Sequence, residues 1–565
     1  MLPVLSPQIV DDHHPFPFVA NKVPHVAVEL QKKKRTILGL ISMPAALPLV
    51  LFLPGKGIRY VHLEQIVSRY AEEAFPAYPV LSRNIFCVTR NADISPEDEE
   101  FAPNGDFREK MKKLVKQRNR LAPVRLECAH PLKGFLFDTL SEKLGLSRPQ
   151  IYVSHAPFLM NYVYGLSQKL DEDAQRTLCY RPFQPQLVRN SLFDFPRGQD
   201  VLLSYPYESM QPFLRLIRRA ANDPSVTSIQ ITIYRLAKDA KLIDLLCTAA
   251  ENGKEVLVLI EQNNIDWSER LESAGCRVIY GFEGFKVHSK VCLITRLEHG
   301  NPRYVTQIAT GNYNEKTAAQ YTDLSLITAD QNIGRDAAEF FRNMSIGNLE
   351  ETYKHLMVAP KCMKSRIMEL IDEEIQKGKD GQIILKINSV TDLDVINKLA
   401  EASCAGVRIL MLVRGICCLL PGVPGHTENI RVFSIVGRFL EHSRTYSFGA
   451  GSEQKLYISS ADMMTRNMQR RVEVAVPIYA AHVRERINHI LDVYFRDTAK
   501  ARELKSDGNY ERSPDYFGGL SAQEQFMAEA LENADREKPR GEGKLHRLVR
   551  ERVTRWYRSL TSDLD

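Results

Sequence analysis

The chain has 565 residues, of which 44% are hydrophobic and 25% charged, with a formal net charge of +6. That length predicts roughly three to four domains, each large enough for a core of its own. The composition excludes a disordered or fibrous chain. So small a net charge over so long a chain gives no reason to expect a nucleic-acid binder, although local basic patches can still hold a polyanion.

Residues 1 to about 180 read as mixed α and β. The opening, MLPVLSPQIVDDHHPFPF, lacks the basic start and long apolar core of a signal peptide. A run from Ile37 to Pro54 is long enough to raise the question of a membrane span. Pro44 and Pro48 lie inside it and suit strands and turns better than a helix. Strands are expected at His25–Val28 and Ile85–Thr89, and helices at Leu63–Glu73 and over the basic stretch Arg108–Arg120. From Asp200 the pattern changes. A strand-like start leads into a helix carrying Phe213, Leu214 and Ile217. The β-branched run Val226–Tyr234 follows, then a helix over Leu242–Glu251 stopped by Asn252-Gly253, then strand Val256–Ile260. A helix over Ile265–Ser273 and a strand over Arg277–Tyr280 complete a βαβα rhythm. After residue 360 the rhythm returns with strand Gln382–Ile387, helix Leu393–Ala402, a stop at Gly406 and strand Val407–Val413, which predicts two related α/β units in tandem. The stretch beyond about Arg502 is charged, with a helix expected over Ser521–Ala534 and a basic amphipathic ending near Lys544–Arg558. The 10 cysteines include one adjacent pair, Cys417-Cys418, but no CxxC and no compact Cys/His set. Free thiols in a reducing, cytoplasmic setting are expected.

Each α/β unit carries a histidine followed two residues later by a cation: His288-Ser289-Lys290 before strand Val291–Ile294, and His442-Ser443-Arg444 before strand Thr445–Phe448. Residues i and i+2 share a face of a strand, so each imidazole should share its cleft with a cation. That pairing suits phosphate: the ring attacks or protonates while the cation balances charge on the non-bridging oxygens. A second polar cluster follows in each unit, Gly311 to Thr317 with Asn312 and Asn314, and Ser459 to Asp462 running on to Arg466-Asn467. The spacing from His288 to Asn314 nearly equals that from His442 to Asn467, so the two half-sites are expected to match and resemble those of the phospholipase D superfold.

The strings GFEGFKVHSKVCLITR, ATGNYNEKTAAQYTDLSLIT, RGICCLLPGVPGHTENIRVFSIVGRFLEHSR and SADMMTRNMQRRVEV resemble the signatures of type 1 polyphosphate kinases. The opening PVLSP and HPFPFVANKVPHVAVEL resembles the start of that family's second domain. The resemblance runs from about residue 2 to about residue 510. It implies an α/β fold with an accessory domain over 1–180, two phospholipase D-like catalytic domains over 181–358 and 359–505, and a charged tail over 506–565. It also implies reversible transfer of the ATP γ-phosphate to polyphosphate through a phosphohistidine, with magnesium as cofactor. His288 would take the phosphate. His442 would touch nucleotide phosphates and act as general acid or base. Tyr321 and Arg414 would contact ATP, and Arg235 would bind the phosphates that magnesium bridges. Lys290, Lys316, Arg438 and Arg444 would line a path for the polymer. Partners would be ATP, ADP, polyphosphate and further copies of the chain, with peripheral contact at the inner face of the membrane and no nucleic acid.

Two departures from the family pattern stand out. The chain begins after the helical domain with which family members usually start. Glu261-Gln262 also runs straight into Asn263-Asn264-Ile265, without the arginine-bearing stretch expected between them. Both favour an alternative, a non-catalytic polyphosphate-binding paralogue. A phosphodiesterase is opposed by Thr295 and Gly449, which stand where two HxKxxxxD motifs would need aspartate.

Overall fold

The computed structural model describes residues 2–55, 57–91, 121–187, 200–234, 240–260, 265–282, 284–514 and 518–536. The basic stretch Arg108–Arg120, Arg235, the junction at 261–264 and the ending Lys544–Arg558 lie outside the described residues. The chain divides into two compact units, Met1–Arg181 and Pro182–Asp565.

The first unit is built on a six-stranded sheet, in the order Pro7–Val10, Arg35–Ser42, Pro24–Lys32, Val80–Arg90, Pro123–Cys128, Ile151–Val153. Alternation along the central strands sends Ala27, Leu38 and Leu40 to one face and Val26, Val28 and Ile41 to the other. Helix Gly134–Leu144 covers the first face through Leu136 and Leu140, and helix Leu63–Arg69 covers the second through Leu63 and Val67. The helix expected over Leu63–Glu73 is two pieces, Leu63–Arg69 and Ala71–Ala74, parted at Tyr70. The apolar run from Ile37 forms the central strand Arg35–Ser42 and the hairpin strand Val50–Leu53. Among the described residues no helix is long and apolar enough to cross a membrane.

The second unit holds two sheets with the same strand order. In the first the order is Arg277–Tyr280, Glu255–Ile260, Val226–Ile233, Val291–Glu298, Asn301–Ala309, Tyr321–Thr328. In the second it is Ile430–Ile435, Arg408–Val413, Gln382–Ile387, Arg444–Phe448, Lys455–Ser459, Arg471–Pro477. In both, three parallel strands meet three antiparallel ones. Val201–Tyr205 and Met357–Ala359 pair antiparallel with the last strand of their respective sheets. The weak echo in the sequence is therefore a duplication of topology.

The halves also exchange strands. Lys286–Val287, from the first half, pairs in parallel with Arg471 and Val472 of the second. Leu440–Glu441, from the second half, pairs in parallel with Tyr321 and Thr322 of the first. Each borrowed strand ends one residue before a histidine, His288 or His442. One continuous core spans both halves, with Val287, Val291 and Phe340 packed alongside Val472, Val474 and Ile487. Beyond residue 506, where a charged tail is expected, the helix Ala522–Arg536 is part of this core: Ala522, Phe526, Met527 and Ala530 are all buried in it.

Candidate active site

The exchange carries each histidine onto a carboxylate of the opposite half. Nδ1 of His288 lies 2.9 Å from both carboxylate oxygens of Glu473. Nδ1 of His442 lies 2.9 and 3.0 Å from those of Asp323. Glu473 and Asp323 are each the third residue of a matching strand, Arg471–Pro477 and Tyr321–Thr328. A hydroxyl completes each relay. Ser460 Oγ donates to Glu473 at 2.5 Å and Thr310 Oγ1 to Asp323 at 2.6 Å, each the first residue after a matching strand. Both relays therefore run hydroxyl to carboxylate to imidazole and cross from one half to the other. Gly311 gives Asp323 its place, since a Cβ there would stand 2.0 Å from Asp323 Oδ2.

With Nδ1–H donated to Glu473, the lone pair of His288 is on Nε2, which no described residue bonds. The ring is 8% exposed and stands edge-on to Tyr234, with centroids 4.8 Å apart. Burial, followed by the charges of Lys290, Arg471, Arg444 and His442, holds it well below the usual histidine range. It is a neutral imidazole at physiological pH. Burial also pushes the Glu473 carboxyl up to about 7, against the pull of Lys290 and Arg471. His442 is lowered as well, first by burial, while Asp323 opposes the shift. Asp323 itself is raised by burial, yet His442, Thr310 and Arg444 outweigh that and keep it below the usual carboxylate range.

The two cations do share the interior with their histidines, but not through strand alternation, because 288–290 and 442–443 lie between strands; each cation instead turns back onto the carbonyl of its histidine. Lys290 is 1% exposed, and its Nζ donates to the carbonyl of His288. Burial pushes it down to about 7. Arg444 Nη1 donates to the His442 carbonyl at 2.9 Å and lies 3.2 Å from His442 Nε2, while Nη2 pairs with Asp462 at 2.9 Å. Tyr321 tilts against the His442 ring, with centroids 5.3 Å apart. Arg414 Nε donates to Asn388 Oδ1 and to the Glu441 carbonyl, one residue before His442. His288, His442, Tyr321, Arg414, Lys290 and Arg444 are thus drawn to the junction of the two halves. Lys316 is exposed on the short helix Glu315–Ala318, and the Arg438 guanidinium lies 5.3 Å over the Phe439 ring.

The expected match of Asn314 with Asn467 does not hold. Asn314 is the N-cap of Glu315–Ala318, where its Oδ1 accepts the N–H groups of Lys316 and Thr317. Asn467 sits within the helix Thr465–Gln469 and accepts the N–H of Asp462. Counted from the ends of matching strands, the residues in register are Thr310 with Ser460 and Asn312 with Asp462. Asn312 Oδ1, Asn467 Nδ2 and Ser289 Oγ are buried and without a partner among the described residues.

Models of three consecutive polyphosphate kinase domains match the chain: the middle domain over residues 1–166, C-terminal domain 1 over 191–349 and C-terminal domain 2 over 356–523. A polyphosphate kinase of Halalkalibacterium halodurans is 40% identical over 531 residues, which cover 90% of this chain and 75% of that one. One of Bacillus anthracis is 38% identical, covering 90% and 76%. The chain belongs to the polyphosphate kinase family. The crystal structure of a polyphosphate kinase from Porphyromonas gingivalis superposes with a TM-score of 0.72 at 29% identity, covering 94% of this chain and 81% of that one.

Proposed function

We propose that this kinase moves the γ-phosphate of ATP to the end of an inorganic polyphosphate chain, and back, through a phosphohistidine at His288. The observation that carries this reading is the neutral, buried His288, whose Nδ1–H is taken by Glu473. Nε2 then attacks the γ-phosphorus as the bond from phosphorus to the β,γ-bridging oxygen breaks, and ADP leaves. As Nε2 takes up phosphorus the ring gains positive charge, and a deprotonated Glu473 2.9 Å away offsets it. A terminal oxygen of polyphosphate then attacks the phosphorus, the Nε2–P bond breaks, and the ring returns to its starting form with the polymer one phosphate longer.

His442, in this reading, contacts the transferring phosphates and exchanges a proton with a phosphate oxygen, oriented by Asp323. Tyr321 and Arg414 hold the nucleotide, and Arg444 and Lys290 supply positive charge from below. Lys316 and Arg438 extend the path of the polymer. Magnesium enters, in this reading, bound to the nucleotide as the magnesium–nucleotide substrate. Arg235 is assigned to its phosphates by resemblance alone. The division into an accessory domain and two phospholipase D-like domains, the homo-oligomer and the contact with the inner membrane face belong to the same proposal.

The test is incubation with γ-labelled ATP and magnesium, wild type against His288→Ala. Acid-labile, base-stable label on the protein and labelled long-chain product are expected in the wild type and absent from the variant. No label in either protein, with polyphosphate still bound, would favour the non-catalytic paralogue.

A further inference from the structure

The polar contacts of the helix Ala522–Arg536 reach the strand that delivers His442. Gln523 is 3% exposed. Its Oε1 accepts the N–H of Phe439 at 2.9 Å and its Nε2 donates to the carbonyl of the same residue at 2.9 Å. The side-chain amide thus stands in for a neighbouring strand. Nε2 also donates to Glu441 Oε1 at 2.6 Å. The other oxygen of Glu441 takes the Thr322 hydroxyl at 2.8 Å and pairs with Lys386 Nζ at 3.0 Å. Thr322 Oγ1 in turn accepts the N–H of His442 at 3.1 Å. A continuous buried path therefore leads from Gln523 through Glu441 and Thr322 to the main chain of His442. Among the described residues the first half has no such path, because the residue before His288 is the apolar Val287, 1% exposed. Gly437 leaves the room: a Cβ there would stand 2.5 Å from Gln523 Oε1.

We infer that Gln523 is a positioning residue for His442, and that the helix carrying it is a clamp for the second half-site. The inference rests on the reading in which His442 works on the transferring phosphate. A small displacement of a reacting group costs rate more than it costs binding. In Gln523→Leu the Phe439 N–H and carbonyl and Glu441 Oε1 lose their partner, and the strand is free to shift.

The test compares Gln523→Leu, Gly437→Ala and Glu529→Gln with the wild type, by kcat, KM for ATP, thermal midpoint and label on His288. Glu529 pairs with His489 at 3.0 Å on the exposed side of the same helix, so its variant loosens helix docking without touching Gln523. Expected for Gln523→Leu is a fall in kcat of about 10- to 100-fold, with KM moving less than kcat and full label still reaching His288 at long times. Gly437→Ala, which pushes on Gln523 from the other side, should show a smaller fall, and it carries the test should Gln523→Leu not fold. Glu529→Gln should lower the thermal midpoint with kcat unchanged. Wild-type kcat in a folded Gln523→Leu or Gly437→Ala would overturn the inference. So would a fall in kcat in Glu529→Gln that tracks its loss of stability as closely as in Gln523→Leu. Absence of label from the wild type would instead overturn the proposed function and is seen before any variant is made.

Discussion

The two halves of the second unit share a strand order and a relay, yet they hold their histidines differently. Around His288 the charged groups sit close to neutrality: the ring is well below the usual histidine range, Lys290 is pushed down to about 7 and Glu473 up to about 7, chiefly by burial. Around His442 the charges are fixed. Asp323 is held below the carboxylate range and Arg444, paired with Asp462, above the usual arginine range, while Lys386, lowered by burial, keeps Glu441 as its partner. The two halves repeat one strand order, and in the proposed reading the side chains next to each histidine divide the labour. A nucleophile needs a lone pair and an environment that resists charging it until phosphorus arrives. A group that handles phosphates needs standing charge that does not vanish as substrate comes and goes.

The sharpest way to break that comparison is to exchange the carboxylates for amides. Glu473→Gln should slow the first labelling of His288 by about 10²- to 10⁴-fold. Asp323→Asn should leave first labelling faster than Glu473→Gln does, while cutting polymer formation. Equal losses of first labelling in the two would erase the assigned difference. Next in size is the fixed charge beside His442. Lys386 and Glu441 are 3% and 2% exposed, so Lys386→Met leaves a buried carboxylate without its counter-charge, held by Gln523 and Thr322, and should cost about 3 kcal/mol of stability in denaturant unfolding. The double variant Lys386→Met/Glu441→Gln should recover most of it.

The pH dependence separates the halves further. Labelling of His288 should rise with pH through about 7, where Glu473 gives up its proton, and Glu473→Gln should flatten that limb. Stability moves the other way. The folded Glu473 is raised above its ordinary 4.5, so the cost of ionising it is absent below 4.5 and fully present above about 7. Over that interval Glu473→Gln should lose less thermal stability than the wild type. Smallest of all are the hydroxyls. Ser460→Ala should slow labelling of His288 several-fold, on the order of 1 kcal/mol, whereas Thr310→Val should act on polymer formation instead.

Much of this was legible beforehand. The βαβα rhythm and its return after residue 360 correspond to real strands such as Val226–Ile233 and Gln382–Ile387, because largely buried strands read as near-continuous runs of β-branched and other apolar residues. His288 and His442 were marked by the cation two residues on. The carboxylates were not, for a physical reason. Asp323 and Glu473 belong to the opposite half from the histidines they orient, and local spacing carries no signal of a partner brought in by strand exchange. Their common position, third in matching strands, becomes visible only once strand ends are known. Equal spacing misled at Asn314 and Asn467, since the strands between histidine and cluster are longer in the first half, Val291–Glu298 and Asn301–Ala309 against Arg444–Phe448 and Lys455–Ser459. The sequence predicts the helix around Gln523 but gives it to a charged tail, because four buried apolar positions are few among so many charges.

The measurement closest to the central claim is the site of phosphorylation itself. Wild-type protein labelled by ATP, digested under alkaline conditions and examined by mass spectrometry and phosphorus NMR, should carry one phosphate, on Nε2 of His288. Phosphate on His442, on Nδ1 of His288, or on no histidine would contradict an architecture in which Glu473, reaching across from the other half, takes Nδ1 and leaves Nε2 to react.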